Sequence, residues 1–182
     1  MMKPYASDIA FTNSVKSIQQ RYGSRDPYAK IEQNWWPDRI SPELANFIAQ
    51  RDSFYMATVN GEGQPYIQHR GGSKGFLKVL NDQTLGFADF RGNRQYISYG
   101  NLQENNKICL FLMDYPNQTR IKIWGTAEVI ENDQPLIDKL SVIGYKGKSE
   151  RAFIIRVATW DKNCPQHITA RYSIDQINEL DG

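Results

Sequence analysis

Two short segments carry the side chains best suited to gripping an anion. His69-Arg70-Gly71-Gly72 ends an alternating run, QPYIQHR. Successive glycines let a backbone approach a ligand closely, and an arginine offers a planar fork of donors that matches phosphate oxygens. Alone, the segment reads equally well as a glycine-rich bulge with Arg70 in solvent. Arg91-Gly92-Asn93-Arg94-Gln95-Tyr96 stands directly before a short helical stretch. Free N–H groups at a helix start, with Asn and Arg beside them, favour an anion. Alone, these residues read as an ordinary cap with surface charges. Each segment follows a strand of the same small sheet, so both can converge on one phosphate.

Other reactive side chains are few. Cys164 and His167 have C-x-x-H spacing, and His69 could join them in three dimensions. Tetrahedral zinc needs a fuller ligand set, and Cys109 sits in an apolar run as core packing, so no metal is expected. No basic cluster lowers the pKa of Cys164, which argues against a redox thiol. Trp35, Trp36 and Tyr96 read as packing, and Trp160 is retained as a ring contact. Lys146 and Lys148 lie in GYKGKSE, a solvated loop.

The elements that position these residues follow from periodicity. Val15, Ile18 and Tyr22 fall at helical spacing, SRDPYAKI adds a short helix, and SPELANFIAQR opens with Ser41 as cap and Pro42 at the first turn. Residues 1–50 thus form a helical segment packed on a sheet. From Ser53 the texture turns to strands: SFYMATV and QPYIQHR around NGEG, then GFLKVL and TLGFAD around NDQ. KICLFLMD, RIKIWGTAEVI and RAFIIRVATW follow, with a helix from Asp133 to Val142. About six strands with short connections favour an antiparallel sheet, and strands apolar on both faces suit a small filled barrel.

Composition narrows the function classes. The 182 residues fit one domain, 1–182, with 40% hydrophobic and 23% charged residues, an ordinary globular balance. Basic and acidic residues number 22 and 20, a net charge of +2. A nucleic-acid or membrane-surface binder shows a basic stripe, and a single-strand-binding barrel needs a basic groove; neither is present. The two cysteines do not suggest a disulfide framework, and MMKPYASDIAF lacks a long apolar stretch. The cytosol is the default compartment.

Taken in order, ATVNGEGQPYIQHRGG, LGFADFRGNRQY, ENNKICLFL, RIKIWGTAEVI and AFIIRVATWDKNCPQHI resemble the pyridoxamine 5′-phosphate oxidase-like FMN-binding split barrels. The closest likeness is to general members carrying HRGG, GNRQYIS and NCPQHI, not to the oxidase itself. The resemblance implies a mainly β fold, a six-stranded antiparallel FMN-binding split β-barrel with flanking α-helices. It implies FMN at a homodimer interface. Gln68, His69, Arg70 and Gly71 would supply phosphate and ring contacts, with Lys78 near the same rim. Ala88 and Asp89 would touch the flavin. Asn93, Arg94 and Gln95 stand where the family places a second phosphate group, a Ser-Arg-Lys pattern in the oxidase, so Gln95 replaces a lysine. Arg120 would face the ring, where a cation stabilises reduced flavin and raises its potential. Trp160, Gln166 and His167, on the strand and loop around Cys164, would reach the flavin from the partner subunit.

The oxidase's R-x-H substrate pair has no counterpart in NCPQHITARY, so pyridoxamine phosphate oxidation is not expected. What the resemblance leaves is an FMN-dependent oxidoreductase of unassigned substrate, with NAD(P)H or a small molecule as partner. The alternative is a non-enzymatic flavin-binding or redox-sensing protein, since no acid, base or nucleophile constellation stands out. A deazaflavin or haem in place of FMN is a further possibility, because fold does not settle function.

Overall fold

The structure is a computed structural model that describes residues 5–34, 36–142, 144–145, 147–163 and 165–180. Period-two burial builds its sheet. In β5 (Lys107–Asp114) Ile108, Leu110 and Leu112 are buried while Cys109, Phe111 and Met113 between them are half-buried. β6 (Thr119–Ile130) buries Ile121, Ile123 and Ala127 in the same phase, and β1 (Ser53–Val59) buries Phe54 and Met56. With β2 (Pro65–Gly71), β3 (Lys78–Asn81), β4 (Thr84–Phe90) and β7 (Ser149–Asn163) they form one sheet in the order β2-β1-β5-β6-β7-β4-β3, every pairing antiparallel. The sheet has seven strands, one more than expected. Each falls on a segment read as a strand from the sequence; of GFLKVL only the second half pairs, as β3 with β4, while Phe76 and Leu77 turn into the core.

The sheet curls without closing. Phe54 on β1 meets the rings of Phe76 and of Phe87 on β4, each at 5.4 Å, and Phe87 stacks on Phe153 of β7 at 4.9 Å. Strands near opposite edges therefore face each other across one core, as twist and coil require of a small barrel. Gly125 marks the sharpest point. There the β6–β7 register shifts, and a Cβ would lie 2.1 Å from the Arg156 carbonyl oxygen, so only glycine fits.

Helices cover what the sheet leaves open. α3 (Pro42–Ala49) starts on Ser41, whose hydroxyl accepts from the Leu44 N–H at 3.2 Å, and buries Leu44 and Ile48. α5 (Gln134–Leu140) starts on Asp133 and packs Ile137 and Leu140 against Ala88 and Ala152, on the outer side of β4 and β7. α6 (Ile174–Leu180) follows β7 near the C-terminus.

The N-terminal segment carries a 3-10 turn (Ala6–Ile9), α1 (Asn13–Arg21) and α2 (Arg25–Asn34) before α3. Its packing differs from the expected stripe. Ile18 and Tyr22 are 50% and 78% exposed, and the buried residue of α1 is Gln19. The segment is tied by charge instead: buried Glu32 receives Ser7 at 3.2 Å, Lys16 at 3.4 Å and a short contact from Arg25. Among the described residues, no helix is long and apolar enough to cross a membrane.

Candidate functional site

Strand phase divides the first segment. On β2, Gln68 and Arg70 stand opposite Met56 and Phe54 and share their inward face, whereas His69 stands opposite Tyr55 and turns outward, edge-on to its ring at 5.5 Å. Arg70 thus reaches the open end of the core, with its guanidinium 4.9 Å from the Phe153 ring centre and 5.6 Å from that of Phe87. There it forms an ion pair with Asp89 at the end of β4. Asp89 is in register with Arg151 on β7, whose Nη1 lies 3.8 Å from the other carboxylate oxygen.

The second segment closes the same cleft. Arg94 and Tyr96 both adopt left-handed backbone, φ 60° and 54°, a conformation rare outside glycine and enriched at functional sites. Tyr96 caps α4 (Ile97–Glu104) without a side-chain hydrogen bond to the helix, so that no cap side chain occupies its first N–H groups. α4 is held to the sheet by Ser98, which donates to Gln68 Oε1 at 2.7 Å, and by Asn101, which donates to Thr58 at 2.9 Å. The Arg151 guanidinium lies against the Tyr96 and Tyr99 rings at 4.9 and 5.4 Å.

Gln68, Arg70, Asp89, Asn93, Arg94, Gln95 and Arg151 line a cavity of about 60 Å³. That is the share of roughly two waters in liquid, fit for a phosphate group but not for a tricyclic ring. A shallower cleft of about 180 Å³ shares Gln68, Arg70 and Asp89 with it and continues past Gly71 and Ala88. The Nε atoms of Arg70 and Arg151 are buried here with no hydrogen-bond partner. Buried guanidinium donors left unused are costly, and both guanidinium side chains line this cavity, where an anion would offset their charge. Burial pushes the Asp89 carboxyl above its ordinary range, an effect that Arg70 and Arg151 offset only in part. The residues present therefore suit the phosphate end of FMN.

Other expected site residues lie elsewhere. The Ala88 methyl packs beneath α5, although the residue borders the shallower cleft. Lys78 donates to the Lys139 and Ser141 carbonyls at 2.7 and 3.0 Å, holding the end of α5. Arg120, second in β6, is in register with Asn163 at the far end of β7 from Arg151, its Nε likewise buried and unpartnered. Trp160 donates from Nε1 to the Arg39 carbonyl at 2.7 Å and, with Trp36, Pro37 and Asp161, lines a separate cavity of about 700 Å³. Burial raises the Asp161 carboxyl there, against the pull of Lys122 and Arg120. Gln166 and His167 sit in an exposed turn beyond β7, His167 at φ 66°, anchored where Gln118 donates to the Ile168 carbonyl. Cys164, Trp35 and Lys146 lie outside the described residues. Among the described residues, no cluster could hold a metal ion.

Sequence reasoning missed Arg151, which is 7% exposed and forms the third wall of the anion cavity. The signal was present in SERAFIIRV. Arg151 shares the inward phase of Phe153, Ile155 and Val157, and a charge at such a position needs partners.

Comparisons with known proteins bear on the fold and the family. HupZ of Group A Streptococcus is 21% identical, with TM-score 0.56, covering 73% of this chain and 99% of its own. An FMN-binding protein from Syntrophomonas wolfei is 14% identical, with TM-score 0.52, covering 80% and 97%. These likenesses concern the fold. No curated protein matches the chain. The family model described as Pyridoxamine 5′-phosphate oxidase matches residues 40–164, which takes in every strand and the whole Arg70–Asp89–Arg151 cleft. By that match, the chain belongs to the pyridoxamine 5′-phosphate oxidase family.

Proposed function

We propose that this protein binds FMN through Arg70, Arg151 and the Asn93-Arg94-Gln95 loop, and that it is an FMN-dependent oxidoreductase of a small molecule. The observation that carries the reading is the pair of largely buried guanidiniums, Arg70 and Arg151, that line one cavity beside the start of α4. Family membership supports it, as does the FMN-binding Syntrophomonas wolfei protein of the same fold. Bound flavin would supply the hydride and electron chemistry. The protein's share is to grip the phosphate and orient the ring.

The reading takes the protein as a homodimer. Arg151 and Trp160 stand on one strand roughly 30 Å apart at the usual rise per residue. On this reading Trp160, Gln166, His167 and Arg120 reach the Arg70 cleft from a second copy. The outer face offers a surface for that copy. Ile67, Ala57, Cys109 and Trp124 run across β2, β1, β5 and β6 in register, and Tyr55 and Phe111 form the adjacent row. Ile67 is 65% and Tyr55 40% exposed, an apolar stripe that a two-fold contact would bury. The cytosol is the compartment this reading assumes, since it maintains reduced nicotinamide donors such as NAD(P)H.

Purified protein would test the reading by its visible spectrum before and after incubation with FMN. A yellow, stoichiometric complex is expected. Protein that stays colourless and takes up no added FMN would refute it. A second reading, a flavin-binding redox sensor without turnover, is favoured by one fact. Asp89, Glu150 and Arg151, ionisable groups of the cleft, are engaged in ion pairs with one another or with Arg70 and Arg91. Steady oxidation of NAD(P)H with any acceptor would exclude the pure sensor.

A further inference from the structure

Asp89 poses a problem for an anion site. A carboxylate sits on the inner face at the end of β4, with 13% of its side chain exposed, between the two guanidiniums that a phosphate would need. One oxygen pairs with Arg70 and the other faces Arg151 at 3.8 Å. A dianionic phosphate brought to the same donors would meet that carboxylate at close range in a poorly solvated cavity, where like charges repel strongly.

The surrounding charges sharpen the conflict. From β2 comes Arg70, and from β7 come Arg151 and Glu150, the latter 3.2 Å from Arg151 Nη2 and 3.6 Å from Arg91 Nε. Glu131, just past β6, lies 3.8 Å from Arg151 Nε, and the loop before α4 adds Arg94. Arg70, Arg91, Arg94 and Arg151 thus face Asp89, Glu131 and Glu150. The excess of one positive charge cannot neutralise a phosphate dianion, but it can if one carboxyl is protonated. Asp89 is the carboxyl that burial already drives toward its neutral form.

We propose that Asp89 is the resting counter-ion of the Arg70–Arg151 pair, and that a phosphate monoester binds by taking over both guanidiniums while Asp89 takes up a proton. The balance is simple: the phosphate dianion, the protein and one solvent proton give a complex in which Asp89 carries an O–H. Nothing is oxidised and no covalent bond to phosphorus changes. This inference deepens the FMN reading and rests on it only for the identity of the ester. It makes cofactor retention respond to pH, with affinity falling as pH rises. That is opposite in sign to the second ionisation of the phosphate itself, which favours binding at higher pH.

Titration calorimetry on the full chain decides the matter. At pH ~8, where a phosphate monoester is already a dianion, FMN would be titrated in two buffers of different ionisation heat. Uptake of about one proton per FMN is expected from the linkage, with none for riboflavin, which lacks the phosphate. Asp89→Asn should abolish the uptake and bind FMN roughly tenfold tighter at that pH, with folding checked by circular dichroism. No proton uptake by the wild type, or uptake unchanged in Asp89→Asn, overturns the proposal. A folded Asp89→Asn that binds FMN more weakly at every pH also overturns it, because Asp89 would then orient Arg70 in the complex. Inorganic phosphate separates the two readings. If it binds with proton uptake while FMN does not bind at all, the Asp89 exchange stands and the flavin reading falls.

Discussion

Arg70 and Asp89 form an ion pair although β1, β5, β6 and β7 lie between their strands in the sheet. Only the curl of the sheet brings them together, so the anion cavity exists when the barrel has formed and not before. The cavity and the core are one construction, since the Arg70 guanidinium rests on Phe87 and Phe153.

Arg70→Ala and Arg151→Ala are each expected to weaken FMN binding about 10- to 100-fold, the loss of one charge-assisted contact. Quenching of flavin fluorescence on titration measures it. Arg94→Ala should cost less, because that side chain is exposed and its charge is screened. Equal affinity in all three variants would remove the phosphate assignment.

Stability in acid should depend on Asp114. Burial alone would raise its carboxyl, but Asn117 and Arg51, the latter at 2.9 Å, outweigh it and hold the group below its ordinary value. A lowered folded pKa contributes stability above the unfolded value and loses it as pH falls through the folded one. Asp114→Asn is therefore expected to cost about 1–3 kcal/mol at neutral pH. Urea titrations should also show a shallower loss for the variant below about pH 4 than for the wild type.

The outer stripe predicts association. Phe111→Glu places a charge in its middle, opposite Tyr55 and Lys122. Light scattering should report a dimer for the wild type and a folded monomer for the variant, with FMN affinity lost alongside. A variant that remains a dimer would move the interface elsewhere.

Gly125→Ala tests the bulge between β6 and β7. A methyl group there meets the Arg156 carbonyl, which is backbone and cannot rotate aside. A cost of about 1–3 kcal/mol is expected, as for other overpacked sites, and appears as a lower melting temperature. Gly92→Ala, where a Cβ meets nothing within 4 Å, is the matched control.

Much of this protein is local and so was legible in its sequence. Period-two alternation in KICLFLMD and RIKIWGTAEVI marks strands whichever way the sheet bends, and Ser41-Pro42 marks the start of α3 by capping chemistry alone. The order of the HRGG, GNRQY and NCPQHI motifs likewise carried the family. Relationships set by curl and strand phase were not legible. His69 and Arg70 are neighbours in the chain yet face opposite sides of β2, and Trp160 donates to Arg39 across most of the sequence. Arg151 joined the anion cavity only because β7 returns beside β4 at the register that sets it against Asp89. Pattern fixes which face of a strand is apolar, but which distant strand meets that face is decided by how the whole sheet buries its core.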